Sequence, residues 1–103
     1  MPRFGAEKVT VKSYLPPLRA LQAFEAFGRL GSVGGAAREL GVTSGAISQQ
    51  LRVLEEHLSL KLINKDGRRA ALSDEALAFH KLVVEGFDRL RMAHSLVQRT
   101  KRG

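Results

Sequence analysis

The stretch Ser32–Leu58, SVGGAARELGVTSGAISQQLRVLEEHL, decides the fold of this chain. It predicts two short helices joined by a tight turn. The first helix ends at Gly41, because glycine readily adopts the left-handed conformation in which helices often end. The second begins after Thr43, whose hydroxyl can cap free backbone N–H groups. Two helices with this spacing are typical of a helix-turn-helix.

The residue types along the two helices extend this interpretation. Apolar positions at helical spacing predict a shared core made by Ala36, Ala37, Leu40, Ile47, Leu51, Leu54 and Leu58. Small or hydrogen-bonding residues occupy the exposed start of the second helix, namely Ser44, Gly45, Ser48, Gln49 and Arg52. In a helix-turn-helix this part of the second helix meets base edges in the major groove. The pattern therefore predicts a DNA-recognition helix, with an ordinary helical hairpin as the alternative.

A basic hairpin is predicted directly after the recognition helix. Residues 60–64 alternate imperfectly, and residues 69–72 can pair back across Asp66-Gly67, a dipeptide typical of tight hairpin turns. Its cations are Lys61, Lys65, Arg68 and Arg69. This arrangement predicts the wing of a winged helix-turn-helix, which can lay an arginine, Arg68 or Arg69, along the phosphates or into the minor groove. A solvated charged hairpin is the alternative.

Two further helices flank this unit. Before it, a helix is predicted from about Pro17 to Leu30, with its apolar stripe made by Leu18, Leu21, Phe24 and Phe27. After it, Ser73 caps a long helix that continues to about Arg99. Seven-residue recurrence on this long helix predicts pairing with a second copy. The predicted dimer interface is Ala76, His80, Val83, Phe87, Leu90, His94 and Val97.

Composition limits the class of partner. The chain has 103 residues, which is enough for one domain, and its net charge of +7 indicates an anionic partner, first of all nucleic acid. It contains no cysteine, so disulfides and thiolate metal sites are excluded. No signal-peptide core or long apolar segment is present, so we expect a cytoplasmic protein without a membrane partner. No cofactor, metal or small-molecule ligand is expected.

These patterns predict a mainly α fold with four segments. Residues 1–14 are a flexible basic tail, and residues 15–72 are a winged helix-turn-helix of three helices and a two-stranded wing. Residues 73–99 are a linker helix for dimerisation, and residues 100–103 are a C-terminal tail.

The chain resembles the N-terminal part of LysR-type transcriptional regulators, which are bacterial proteins, especially the branch of the glycine-cleavage activators. The stretches that carry the resemblance are LPPLRALQAF at 15–24, AAREL at 36–40, AISQQL at 46–51 and the wing with Arg68. The resemblance implies a winged helix-turn-helix, a linker helix in an antiparallel dimer, and tetramers in full-length proteins. The effector-binding domain that follows in the family is absent from this sequence, so the inducer site is expected elsewhere.

The resemblance also implies roles for single residues. Base contacts are implied for Ser44, Gly45, Ser48 and Gln49, and phosphate contacts for Thr43, Gln50 and Arg52. A minor-groove or phosphate contact is implied for Arg68 in the wing. The chain departs from the family at two informative positions. Gln49 stands where the family usually has arginine, which would shift base preference from guanine towards adenine or shorten the reach of the side chain. Ser59 stands where the family usually has glycine.

The leading hypothesis is sequence-specific binding of double-stranded DNA by a dimer on an inverted repeat. A helical dimeric protein-interaction module with a basic face and a non-specific DNA-binding protein are the alternatives. An enzyme is not expected, because no nucleophile-elbow, metal-spacing or phosphate-loop pattern surrounds the histidines or carboxylates. Glu55 and Glu56 are interpreted as a solvated helix face or as partners of nearby cations.

Overall fold

A computed structural model of the chain describes residues 15–65 and 70–102. The described part is mainly helical. The helices are α1 (Leu18–Leu30), α2 (Val33–Leu40), α3 (Ser44–Leu58) and α4 (Asp74–Arg102), and the strands are β1 (Ile63–Lys65) and β2 (Ala70–Leu72). The predicted tail at residues 1–14, the Asp66-Gly67 turn, Arg68 and Arg69 lie outside the described residues.

Local capping sets the boundaries of the helix-turn-helix as the sequence predicts. The Ser32 hydroxyl accepts the Gly35 N–H at 2.9 Å and so begins α2. Gly41 follows α2 with a φ of 70°, and the Thr43 hydroxyl accepts the Ala46 N–H at 3.0 Å to begin α3. Ser59 ends α3 in the left-handed region, with a φ of 52°. A side chain there is strained, because its Cβ crowds the backbone.

A compact core lies where α1, α2 and α3 meet the beginning of α4. Phe24, Ile47, Leu54 and Leu62 are its largest fully buried side chains. The smaller alanines of α1 and α2 are also buried, which lets the helices approach closely. Two predicted core residues are wrong: Leu18 is 56 % exposed and Leu40 is 37 % exposed. Both lie near a helix end, where helical spacing continues beyond the neighbouring helices that could cover it.

The strands β1 and β2 pair antiparallel, with Ile63 opposite Leu72 and Lys65 opposite Ala70. The register brings Ile63 and Leu72, which both pack on the core, opposite each other. The turn predicted at Asp66-Gly67 lies outside the described residues.

The helix α4 begins at the predicted cap, where the Ser73 hydroxyl accepts the Ala76 N–H at 3.2 Å. It continues past the predicted end at Arg99 to Arg102. The predicted C-terminal tail at residues 100–103 is therefore wrong in its first part, where Thr100 donates its hydroxyl hydrogen to the Leu96 carbonyl at 2.9 Å. Within the described ranges, no helix combines the length and apolar character needed to cross a membrane.

Candidate nucleic-acid interface

The first turns of α3 form an exposed polar surface. Thr43, Ser44, Gly45 and Gln49 are exposed, and Arg52 continues the surface one turn further along the helix. The opposite side of α3 carries the buried Ile47, Leu51 and Leu54. Because that apolar side is fixed in the core, the polar side is held outward as a rigid unit. This is the arrangement that the recognition-helix prediction requires.

The predicted DNA contacts lie on three sides of α3. Gly45 and Gln49 face directly away from the core. The half-buried Ser48 lies on one flank, in a groove that Arg52 and Lys61 also line. This flank faces the beginning of the hairpin.

Gln50 lies on the other flank of α3. It is half-buried and lines a groove with Arg19 and Gln22 of α1. Arg19 is an exposed cation beside the recognition helix that the sequence reasoning did not single out. Its position three residues after Pro16, in the first turn of α1, is the signal that could have drawn attention to it.

Glu55 ties α3 to the hairpin. Its Oε2 accepts the Leu62 N–H at 2.8 Å and the Ile63 N–H at 3.1 Å. The interpretation of Glu55 as a solvated residue or an ion-pair partner is therefore wrong, although its neighbour Glu56 is exposed. Sequence spacing did not reveal this contact, because the backbone groups that Glu55 binds become accessible to it only when the chain turns back after α3.

An ion network joins α1 to α2 behind the recognition helix. Arg29 donates from Nε to Glu25 Oε2 at 2.7 Å and from Nη1 to Glu39 Oε1 at 3.2 Å. Hydrogen bonding to Glu25, and then to Glu39, raises the pKa of Arg29. The hydrogen bonds from Arg29, followed by the more distant charge of Arg91 on α4, lower the pKa of Glu39. Because Arg29 and Glu39 are exposed, the network adds little to the buried contacts of Ala36 and Ala37 that hold α2 in the core.

The structure corrects two of the predicted dimer contacts. Ala76 is fully buried in the core of its own chain, so it has no surface to offer a second copy. His80 packs on α1, where its Nε2 donates to the Glu25 carbonyl at 2.9 Å and its ring meets Phe24 edge-on. The His80 ring lies so close to α1 at Gly28 that a Cβ on this residue would be only 2.4 Å from the ring. Sequence reasoning missed this pairing of Gly28 and His80.

The other predicted dimer residues remain available on the surface. Val83 and Phe87 are half-buried, whereas Leu90, His94 and Val97 are exposed. Val83, Phe87 and Leu90 line an apolar groove between the start of α1 and α4. Its further apolar lining includes Leu15, Leu18 and Leu82, which the sequence reasoning did not assign to an interface. These three are 70 %, 56 % and 64 % exposed, a large apolar surface for one chain to leave in water.

Residues 15–65 and 70–102 contain no cluster of three or more His, Asp or Glu side chains that could hold a metal ion.

The fold and the exposed first turns of α3 define a helix-turn-helix domain of the kind found in regulatory DNA-binding proteins. Residues 18–77 match the family described as bacterial regulatory helix-turn-helix protein, lysR family. The chain belongs to this family, as the resemblance implied.

Similar proteins support this assignment. The chain is 48 % identical over 77 residues to the HTH-type transcriptional regulator TrpI of Pseudomonas aeruginosa, covering 75 % of this chain and 26 % of that protein. It is 39 % identical over 84 residues to the glycine cleavage system transcriptional activator of Escherichia coli, covering 82 % of this chain and 28 % of that protein. It thus spans about a quarter of the length of these relatives.

A solved structure has the same fold. The BenM DNA-binding domain in complex with catB site 1 DNA superimposes with a TM-score of 0.77 at 25 % identity, covering 84 % of this chain and 97 % of that one.

Proposed function

We propose that this chain binds double-stranded DNA sequence-specifically as a dimer, as part of a bacterial transcriptional regulator. The observation that carries the proposal is the exposed start of α3, where Ser44, Gly45 and Gln49 face outward from a helix whose other side is fixed in the core. Small residues let the backbone approach the bases, and the Gln49 amide can bond adenine at N6 and N7. Family membership and the BenM domain solved with DNA support the same function.

Residues around the exposed start of α3 contact the phosphates. Thr43, Gln50 and Arg52 take the phosphate contacts on α3, and Ser48 adds a base contact at the flank that faces Lys61. The antiparallel pair of β1 and β2 serves as the wing, which in sequence also carries Arg68 for the minor groove and Arg69 for phosphates. A net charge of +7 supplies the affinity that does not depend on sequence.

The dimer forms through α4. Residues 15–72 make up the DNA-binding unit, and the linker helix that begins at Ser73 presents Val83, Phe87, Leu90, His94 and Val97 to a second copy. The apolar groove that borders α4 extends this face to Leu15, Leu18 and Leu82. Burial of this surface gives the second copy its driving force. The chain acts by binding, not as an enzyme.

The test is a selection from random duplex DNA with this chain, followed by sequencing of the bound pool. We expect a symmetric motif whose half-sites lie about one helical turn, or a multiple of it, apart. A bound pool without any enriched motif would contradict sequence-specific binding. Loss of retention at physiological salt would instead favour a protein-interaction module.

The variant Gln49→Ala tests base recognition by α3 on the selected site. We expect a loss of about 1–3 kcal/mol of binding free energy on that site and little loss on random duplexes. Gln98→Ala removes the same side chain from the exposed part of α4 and serves as the control. Equal losses for Gln49→Ala on both kinds of duplex would show that Gln49 does not read bases.

A further inference from the structure

We propose that Glu55 is a positioning residue for DNA binding, which holds the hairpin and Lys61 at a fixed place beside the recognition helix. The proposal rests on the proposed function, and it identifies the contact that fixes the position of the hairpin relative to α3. Glu55 lies on α3 itself, three residues after Arg52, and both line the groove that contains Ser48 and Lys61.

The carboxylate satisfies backbone groups that the hairpin cannot satisfy. Ser73 donates its N–H to the Leu62 carbonyl at 2.9 Å, but the Ser73 carbonyl, which would stand opposite the Leu62 N–H, accepts the Leu77 N–H at 2.9 Å where α4 begins. Antiparallel pairs alternate between bonded and non-bonded rungs, so the N–H of the next residue, Ile63, turns away from β2. Glu55 Oε2 takes this N–H at 3.1 Å and the Leu62 N–H at 2.8 Å.

The contact is held on every side. Leu62 is 1 % exposed, so its backbone cannot exchange Glu55 for water without moving a core side chain. The hydroxyl of Ser73 also reaches the Lys61 carbonyl, at 3.5 Å. Residues 61–63 are thus fixed by Glu55 of α3 on one side and by Ser73 at the beginning of α4 on the other.

A negative charge in this place needs a reason. DNA is an anion, so a carboxylate on the flank of a DNA-reading helix weakens binding electrostatically. Another contribution to binding must offset this cost. Both Glu55 and Glu56 carry that charge, but of the two only Glu55 has side-chain hydrogen bonds within the described ranges. Its benefit therefore comes from geometry: with the hairpin fixed, Lys61 and the wing meet the phosphates without first losing conformational freedom.

The experiment compares Glu55→Ala and Glu55→Gln with Glu56→Ala and Glu56→Gln in the whole chain. Binding is measured over a range of salt concentrations on the selected duplex and on a random duplex. The Glu56 variants make the same change of charge one residue away and serve as matched controls. Relative to its control, Glu55→Ala should bind both duplexes roughly tenfold more weakly, with a log K against log salt slope shallower by about 0.9, the value of one phosphate contact.

Rescue separates positioning from charge. The amide oxygen of Glu55→Gln can accept the same two N–H groups, so this variant should recover most of the affinity and the salt slope. Glu55→Ala with the affinity and slope of Glu56→Ala would overturn the proposal, as would a Glu55→Gln variant that binds no better than Glu55→Ala. Absence of wild-type retention on any duplex would be a failure of the proposed function instead.

Hydrogen exchange of the free protein keeps the test independent of folding losses. Glu55→Ala should speed exchange of the Leu62 and Ile63 amides and leave the amides in the middle of α1 unchanged. Unchanged exchange at Leu62 and Ile63 would overturn the proposal. If Glu55→Ala does not fold, all variants are placed in a Ser59→Gly background, which relieves the left-handed side chain at the end of α3.

Discussion

The two halves of α4 share a helical pattern but have different surroundings. In the first half, Ala76 is fully buried and Phe79 lies 5.5 Å from Phe24 of α1, measured between ring centroids. In the second half, every residue from Asp88 to Lys101 is exposed, including Leu90 and three other large apolar side chains. The same seven-residue recurrence therefore serves the chain's own core in one half and faces water in the other. An apolar repeat predicts that a helix is covered, but it does not say by what.

The largest expected effect comes from placing the same charge in each half. Ala76→Asp buries a carboxylate without a partner and should cost about 3–5 kcal/mol of unfolding free energy, enough to unfold a small domain. Ala93→Asp makes the same change in the exposed half and should cost about 0.5 kcal/mol. Urea unfolding of both variants measures the difference. Similar losses for the two would show that the halves are equally buried in solution.

The second prediction concerns the closest contact of the packed half. Gly28→Ala should lower the unfolding free energy by about 1–3 kcal/mol, because the new methyl group displaces the His80 ring from α1. In a His80→Ala background the ring is absent. Gly28→Ala should then raise the unfolding free energy by about 0.5–1 kcal/mol, because alanine has the higher helix propensity. Thermal unfolding of the four proteins in this cycle gives both numbers. A loss of the same size in both backgrounds would contradict the contact.

The third prediction addresses the exposed half. Leu90→Glu should weaken self-association roughly tenfold, which corresponds to about 1.4 kcal/mol, with unchanged helix content. Sedimentation over a range of concentrations measures the dissociation constant. Ser95→Glu, an exposed change on the same half, is the control. A dimer unaffected by Leu90→Glu would place the interface elsewhere.

The smallest effect concerns an electrostatic interaction of Glu39 on α2, to which the exposed half of α4 contributes through Arg91. Arg29, and more weakly Arg91 from the exposed half, lower the pKa of Glu39 from its usual 4.5. A carboxyl with a lowered pKa in the folded state stabilises the fold above 4.5 and loses this contribution as the pH falls through the lowered value. Wild type should therefore unfold at a higher temperature than Glu39→Gln near pH 6, and the gap should close below pH 4.5.

Thermal melts from pH 6 to pH 3 measure this gap. Glu85→Gln is the control, since Glu85 is exposed and has no ion pair within the described ranges. A gap that widens on acidification would contradict the assigned direction.

The parts of the fold that were predictable from sequence are those specified by near neighbours. Ser32, Gly41 and Thr43 each act within four residues of their own position, so the boundaries of α2 and α3 could be predicted from single residues. The strands were predictable as a pair, whereas their register was not, because the pairing of Ile63 with Leu72 depends on the core beneath them.

Contacts between distant segments were not predictable in this way. His80 contacts the Glu25 carbonyl across 55 positions of sequence, and no local signal distinguishes it from a residue of the dimer interface. Glu55 has the same difficulty, since a carboxylate that binds backbone N–H groups has no partner that can be identified from residue type. The predicted outward face of α3 rests on helical periodicity, and the exposed Gly45 and Gln49 agree with it.

The length of α4 turns small angles into large displacements. Its first half is fixed to α1 through His80 and packs on the core as far as Val83, while the helix extends 22 residues beyond His80 and is exposed throughout from Asp88 to Lys101. At about 1.5 Å per residue, a tilt of roughly 5° about His80 would carry its far end by roughly 3 Å, about the length of a hydrogen bond. In a dimer formed through α4, the angle between α4 and α1 would therefore set the position of the second copy's DNA-binding unit.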